Sequence, residues 1–239
     1  MTERIQKTEG FLREKLAESP FFAEYPEKGA YRLEHSFRVA RIAGEIARAE
    51  GLDEEAMIIA GLLHDVSYCR EFADQTDWKN HGRDAARIAR PFLQTLGLPE
   101  ETVEEICYGI AIHVDDEADF PGERTPFALT VGDADNIDRF DAYRIYETLE
   151  GRRFSALSLA EKTACVEETL ARLARYAAMP LSTDTATALW RERIGFYRDY
   201  YTRLARQLCA STGFADEGTC AGRGAAETDD AMTKLAGEF

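Results

Sequence analysis

Each of the four histidines in this chain lies at the edge of an apolar segment with helical spacing. In the run Ala60–Asp65 the aliphatic side chains give way abruptly to a histidine and an aspartate. His35 and His81 each begin such a segment, and His113 ends one. Successive helical residues point about 100° apart. An adjacent histidine and aspartate can therefore share one bound ion only in a cleft where several helices converge.

The rest of the chain also follows helical periodicity, and no segment shows sustained alternation with a period of two. The sequence therefore predicts an all-α fold. The predicted helices cover 3–18, 33–50, a segment capped by Asp53 and ending at His64, one beginning at His81, one from Pro99 to His113, one beginning at Pro126, and about 157–178 and 183–210.

Prolines and polar runs predict where these helices break. Residues 19–29 contain two prolines and read as a loop, and residues 67–79 read as a polar loop. Asn80 is predicted to cap the helix that begins at His81, and Pro91 is predicted to kink or split that helix.

With 239 residues, the chain is predicted to form one helical bundle over 1–211, with additional C-terminal helices at about 157–210. Residues 212–239 are rich in glycine, alanine, threonine and acidic residues and have few apolar anchors. This composition predicts a disordered tail.

A net charge of −15 argues against binding of duplex nucleic acid, which needs a basic surface. No apolar run is long enough to span a membrane, and the N-terminus lacks an apolar signal core. Five scattered cysteines without Cys-x-x-Cys spacing favour reduced thiols in a cytoplasmic protein. The oligomeric state stays open, and a homodimer is compatible with the sequence.

An acidic segment, Val131–Asp138, follows the last histidine and adds Asp135 to the order His, His-Asp, His, His, Asp. Neutral imidazole and carboxylate groups are suitable ligands for Mn, Fe, Co, Ni, Zn or Mg. A site for one or two divalent metal ions is therefore the central hypothesis.

The ordered set His35, His64-Asp65 and Asp135 resembles the H…HD…D signature of the HD-domain superfamily, mostly metal-dependent phosphohydrolases with an all-helical fold. The resemblance covers about residues 30–145 and includes the apolar residues that lead into His64. It implies that His35, His64, Asp65 and Asp135 hold one metal.

The resemblance also suggests roles for His81 and His113, which fall where binuclear members, including di-iron oxygenases, have ligands for a second metal. Asp65 would then bridge the two ions. Mononuclear relatives often use histidines here for substrate contact or proton transfer, so both interpretations stay open. The chain lacks the adjacent His-His pair of the cyclic-nucleotide phosphodiesterases, because Val114 follows His113.

Three cations, Arg38, Lys79 and Arg83, lie within a helical turn of a proposed ligand and are candidates for binding a substrate phosphate. The alternative is a solvated helix face or a local ion pair. Asp138, one turn after Asp135, is predicted to orient a ligand, whereas Asp133 is predicted to lie at the surface.

The function predicted from these residues is hydrolysis of a small phosphomonoester or phosphodiester, of nucleotide type, by metal-activated water. Asp65, His81 and His113 are the predicted catalytic residues. The alternatives are a di-iron oxygenase and a non-catalytic module that binds metal or nucleotide.

Overall fold

The computed structural model describes residues 1–212, which contain eleven α-helices, two short 3-10 helices and no β-strand. The predicted all-α fold is confirmed. The predicted tail, 212–239, lies outside the described residues except for Thr212. The described residues cluster into two compact units.

The first unit comprises Met1–Asp138 together with Ser182–Ala186. Its helices are α1 (Glu3–Ala17), α2 (Pro20–Glu24), α3 (Pro26–Glu50), α4 (Glu54–Leu63), α5 (Gln75–Lys79), α6 (His81–Gln94), α7 (Glu100–Ile112) and α8 (Pro126–Asp138), with a 3-10 helix at Val66–Cys69.

Helix α3 packs against α4 and α8, and α7 packs against α4, α6 and α8. Fully buried aliphatic side chains, including Val39, Leu63 and Ile110, form the core between them. One glycine permits close approach of two helix backbones. A Cβ at Gly61 would lie 2.7 Å from the Cα of Ala40, so α3 and α4 are in backbone contact at this point.

The structure corrects the predicted loop at 19–29 and the predicted cap at Asn80, and it excludes a split of the helix at Pro91. Pro20 and Pro26 do not belong to a loop, because each is the first residue of a helix. Proline is well tolerated there, since the first amide of a helix has no acceptor in the helix. Pro91 lies inside α6 without splitting it. Asn80 precedes α6 but makes no side-chain cap, and instead donates to the Thr76 carbonyl at 3.0 Å.

The second unit comprises Arg139–Leu181 and the residues from Thr187 onward. It contains α9 (Ala142–Gly151), a 3-10 helix at Phe154–Ala156, α10 (Leu159–Tyr176) and most of α11 (Asp184–Cys209). Phe140 packs edge-on against Tyr176, Trp190 and Tyr197. The buried rings of Phe140, Trp190 and Tyr197 therefore form part of the core of this unit, together with aliphatic side chains such as Leu173.

Within residues 1–212, Cys69, Cys107 and Cys165 are free thiols, as predicted for these three residues. None of the helices in residues 1–212 has both the length and the hydrophobicity that a bilayer crossing requires.

Candidate metal centre

Six histidine and aspartate side chains from five helical elements meet inside the first unit. All six are buried, and His113 is the most exposed at 9%. Four of them lie at helix ends, as the sequence predicted: His64 and His113 directly follow the last residues of α4 and α7, Asp65 precedes a 3-10 helix, and His81 is the first residue of α6. His35 and Asp135 lie within α3 and α8.

The first group of ligand atoms comes from His35, His64, Asp65 and Asp135. The Nε2 atom of His35 lies 3.3 Å from His64 Nε2 and 3.1 Å from Asp135 Oδ1. His64 Nε2 lies 3.3 Å from Asp65 Oδ2 and 3.9 Å from Asp135 Oδ1. Ligand atoms about 2.1 Å from a common metal are neighbours at about 3.0 to 3.4 Å. These atoms therefore fit a divalent cation between them.

The second group comes from His81, His113 and the other oxygen of Asp65. The two Nε2 atoms lie 3.2 Å apart. Asp65 Oδ1 is 3.3 Å from His81 Nε2 and 3.6 Å from His113 Nε2. Asp65 thus presents one carboxylate oxygen to each group.

Every histidine of the centre directs Nε2 inward because its Nδ1 atom is engaged elsewhere. The Nδ1 acceptors are Gly61 O for His64 at 2.8 Å, Trp78 O for His81 at 2.6 Å, Ile110 O for His113 at 2.6 Å and Asp138 Oδ2 for His35 at 2.8 Å. A carbonyl oxygen can only accept, so Nδ1 carries the proton in those three histidines. The lone pair on Nε2 is then available for a metal.

Comparison with known proteins agrees with this geometry. The model of the HD domain family matches residues 32–142. These residues include all six side chains of the centre. The chain contains an HD domain.

One solved structure has a fold similar to that of this chain. The crystal structure of a predicted HD superfamily hydrolase from an uncultured Thermotogales bacterium is 24% identical, with a TM-score of 0.57. The match covers 84% of this chain and 91% of that one. No curated protein matches the chain.

Burial and charge set the protonation of the HD domain centre. Burial alone would raise the pKa of Asp65, but His64 and the Arg32 guanidinium hold it well below its ordinary value. Burial lowers the pKa of His81, which favours the neutral imidazole that a metal requires. Burial also acts to lower the pKa of His35, but hydrogen bonds to Asp135 and Asp138 outweigh it and raise that pKa.

Two of the three cations predicted to bind substrate have other partners in the HD domain. Arg38 donates to both oxygens of Asp138, at 2.8 and 3.1 Å. Arg83 pairs with Asp115 at 2.9 and 3.0 Å. Lys79 is exposed. Their role in substrate binding stays a prediction.

The prediction for Asp138 agrees with the structure, whereas the prediction for Asp133 does not. Asp138 contacts His35, as predicted for a residue that orients a ligand. The prediction that Asp133 lies at the surface is wrong: it is half-buried and accepts a hydrogen bond from the Ser182 amide at 2.8 Å. Ser182 lies 49 residues later in the chain, so no local pattern reports this contact.

One residue of the HD domain centre, Arg32, was missed by the sequence analysis. Its Nη1 atom donates to Asp65 Oδ2. Arg32 lies three residues before His35, and residues at this spacing share a helix face. Arg32 could therefore have been identified from the sequence as a cation on the same helix face as the proposed ligand His35.

Proposed function

We propose that this chain is a metal-dependent hydrolase of phosphoric esters, acting on a small phosphomonoester or phosphodiester of nucleotide type. The observation that carries the proposal is the placement of Asp65, whose two oxygens face two separate sets of histidine nitrogens. This arrangement supports a site for one or two ions of Mn, Fe, Ni, Co, Zn or Mg. The description of the Thermotogales protein as a hydrolase also supports the proposal.

A divalent metal bound here would supply a water of lowered pKa as nucleophile and would offset negative charge on the phosphoryl group. The protein's own groups hold that chemistry in place. Asp65, His35, His64 and Asp135 fix the first position. Because each Nδ1 is already engaged, the imidazole rings keep their orientation.

His81 and His113 have two possible roles beside Asp65. As ligands, they complete a second metal position. Without a second ion, their Nε2 atoms lie in the cluster next to Asp65 Oδ1, where a neutral imidazole can accept a proton. Metal content distinguishes the two roles.

Elemental analysis of protein purified without chelators or a metal-affinity column tests the proposal, with wild type compared with His81→Ala. Two ions per chain, falling to one in the variant, would establish the binuclear site. One ion in both proteins would support a mononuclear hydrolase. Failure of both proteins to bind metal after reconstitution would refute the proposal.

Activity is measured next on p-nitrophenyl phosphate, bis-p-nitrophenyl phosphate and a panel of nucleotides, with Mn, Ni, Fe or Mg added. The matched control is Arg90→Gln, which removes a paired cation on the same helix as His81 but about 13 Å further along it. Turnover by wild type and by this control, with loss in His64→Ala, is expected. No turnover on any ester with a full metal site would refute hydrolysis of this substrate class.

The second group of ligands favours one further candidate, a di-iron oxygenase. Its six ligand residues would be the same. Two irons per chain and consumption of dioxygen with an organic substrate would identify this function, whereas a phosphohydrolase consumes no dioxygen. A non-catalytic module would bind metal or nucleotide tightly without turnover.

A further inference from the structure

Arg32 is a cation in direct contact with the metal centre. Its Nη1 atom donates to Asp65 Oδ2, the oxygen that lies 3.3 Å from His64 Nε2 and 3.6 Å from His35 Nε2. The guanidinium therefore borders the first ligand group.

An aromatic ring holds the Arg32 guanidinium in place. The guanidinium carbon lies 3.6 Å from the centroid of the Tyr68 ring, which is close contact for a cation over an aromatic face. Tyr68 is itself fixed, because its hydroxyl accepts a hydrogen bond from Trp78 Nε1 at 3.0 Å. Its ring also meets the His81 ring edge-on, with centroids 5.4 Å apart. Tyr68 thus links the position of Arg32 to the second ligand group.

Most of the donors of this guanidinium remain unused. An arginine has five N–H donors. The hydrogen bond to Asp65 uses one, and Nε is buried with no hydrogen-bond partner within residues 1–212. In contrast, Arg83 uses Nε, Nη1 and Nη2 on neighbouring groups. About 19% of the Arg32 side chain is exposed, so a small molecule can reach it.

We propose that Arg32 binds an anionic oxygen of the substrate beside Asp65, and that Tyr68 fixes the plane of the guanidinium for this contact. The inference rests on the proposed function, since it places the phosphoryl group of the ester next to the metal centre. A planar guanidinium can contact two phosphoryl oxygens at once, which a lysine ammonium cannot do in the same geometry.

Calorimetric titration of metal-loaded protein with inorganic phosphate tests the contact. The proteins are wild type, Arg32→Gln, Arg32→Lys and the control Arg90→Gln, whose side chain has an ion pair with Glu104 and a side-chain exposure of 30%. Arg32→Gln should weaken phosphate binding about 10- to 100-fold, the range for a lost hydrogen bond to a charged group. The phosphate affinity of Arg32→Lys should lie between those of Arg32→Gln and wild type, and the affinity of the control should equal that of wild type. The metal content should be the same in all four proteins.

Three results would overturn the inference. The first is an Arg32→Gln protein that binds phosphate as tightly as wild type, and the second is metal-loaded wild type that does not bind phosphate. The third is loss of metal in both Arg32 variants, because Arg32 would then only position Asp65. If circular dichroism shows that Arg32→Gln does not fold, Arg32→Lys decides, and unchanged affinity in it overturns the inference. Ester turnover is assayed separately, so failure of the proposed function is distinguishable from failure of this contact.

Discussion

Asp138 Oδ2 accepts a hydrogen bond from His35 Nδ1 at 2.8 Å, and this contact determines which nitrogen of His35 faces the ligand group. The same carboxylate is held by Arg38 through two hydrogen bonds. Asp138 therefore remains ionised, and its pKa is lowered by His35 and Arg38 although burial acts to raise it. Asp138, which is not a proposed ligand, therefore determines which nitrogen atom of His35 is available to a metal.

Replacing Asp138 with alanine should weaken metal binding about 10- to 100-fold, the usual effect of losing a group that orients a ligand. The measurement is competition with a chromophoric chelator. Asp133→Asn is the control, because Asp133 lies on the same helix but holds Ser182. Equal metal affinity in Asp138→Ala and wild type would show that His35 needs no such support.

The proposed bridging role of Asp65 predicts unequal effects of removing two aspartates. Asp65→Asn should lose metal from both positions, whereas Asp135→Asn should lose it only from the first, because Asp135 lies beside the nitrogens of His35 and His64. Elemental analysis of reconstituted protein measures this, with circular dichroism to confirm folding. Retention of the second ion in Asp65→Asn would contradict the bridge.

Close contact between α3 and α4 predicts that Gly61→Ala destabilises the fold by about 1 to 3 kcal/mol, the range for overpacking. The added Cβ would lie 2.7 Å from Ala40 Cα, which is backbone and cannot move aside. Gly10→Ala is the control: nothing lies within 4 Å of its Cβ, so it should stabilise α1 by about 0.5 to 1 kcal/mol. Urea denaturation measures both, and a Gly61→Ala protein as stable as wild type would refute the close contact.

Metal binding should stabilise the protein, and this effect should decrease as the pH falls. At a free metal concentration of 100 times Kd, the expected gain is about 2.7 kcal/mol. Protons and metal compete for Nε2, and the raised pKa of His35 means that protonation begins at a higher pH than for a free imidazole. Thermal melts with and without metal, from pH 8 to 5.5, should show a shrinking difference. A constant difference would exclude histidine ligands.

Four residues of the cluster could be located from sequence because they lie where apolar periodicity stops, whereas His35 and Asp135 lie inside α3 and α8. His64 and His113 end helices, and such ends are visible in a single sequence as a change from aliphatic to polar residues. The contact between His81 and His113 depends on how α6 packs against α7. Sequence alone gave only their order, and the 3.2 Å distance between their Nε2 atoms required the structure.

Other features depended on contacts that leave no local trace. A proline such as Pro20 or Pro26 is compatible either with a loop or with the first turn of a helix. Which of the two forms depends on the packing of the residues that follow. Asp133 was predicted to lie at the surface because it points away from Asp135 on the helix, and its contact with Ser182, 49 residues later, leaves no trace in the local sequence. Arg32 reaches a carboxylate 33 residues later, and only its helical spacing from His35 indicated a shared face.

Three of the ligand histidines are held by the carbonyl oxygen three residues earlier in the chain, at Gly61, Trp78 and Ile110. The orientation of each of these rings therefore depends on a contact that is local in sequence. Consequently, the connecting loops can change length without reorienting a ligand, whereas inserting one residue between a histidine and its carbonyl would turn that ring away from the centre.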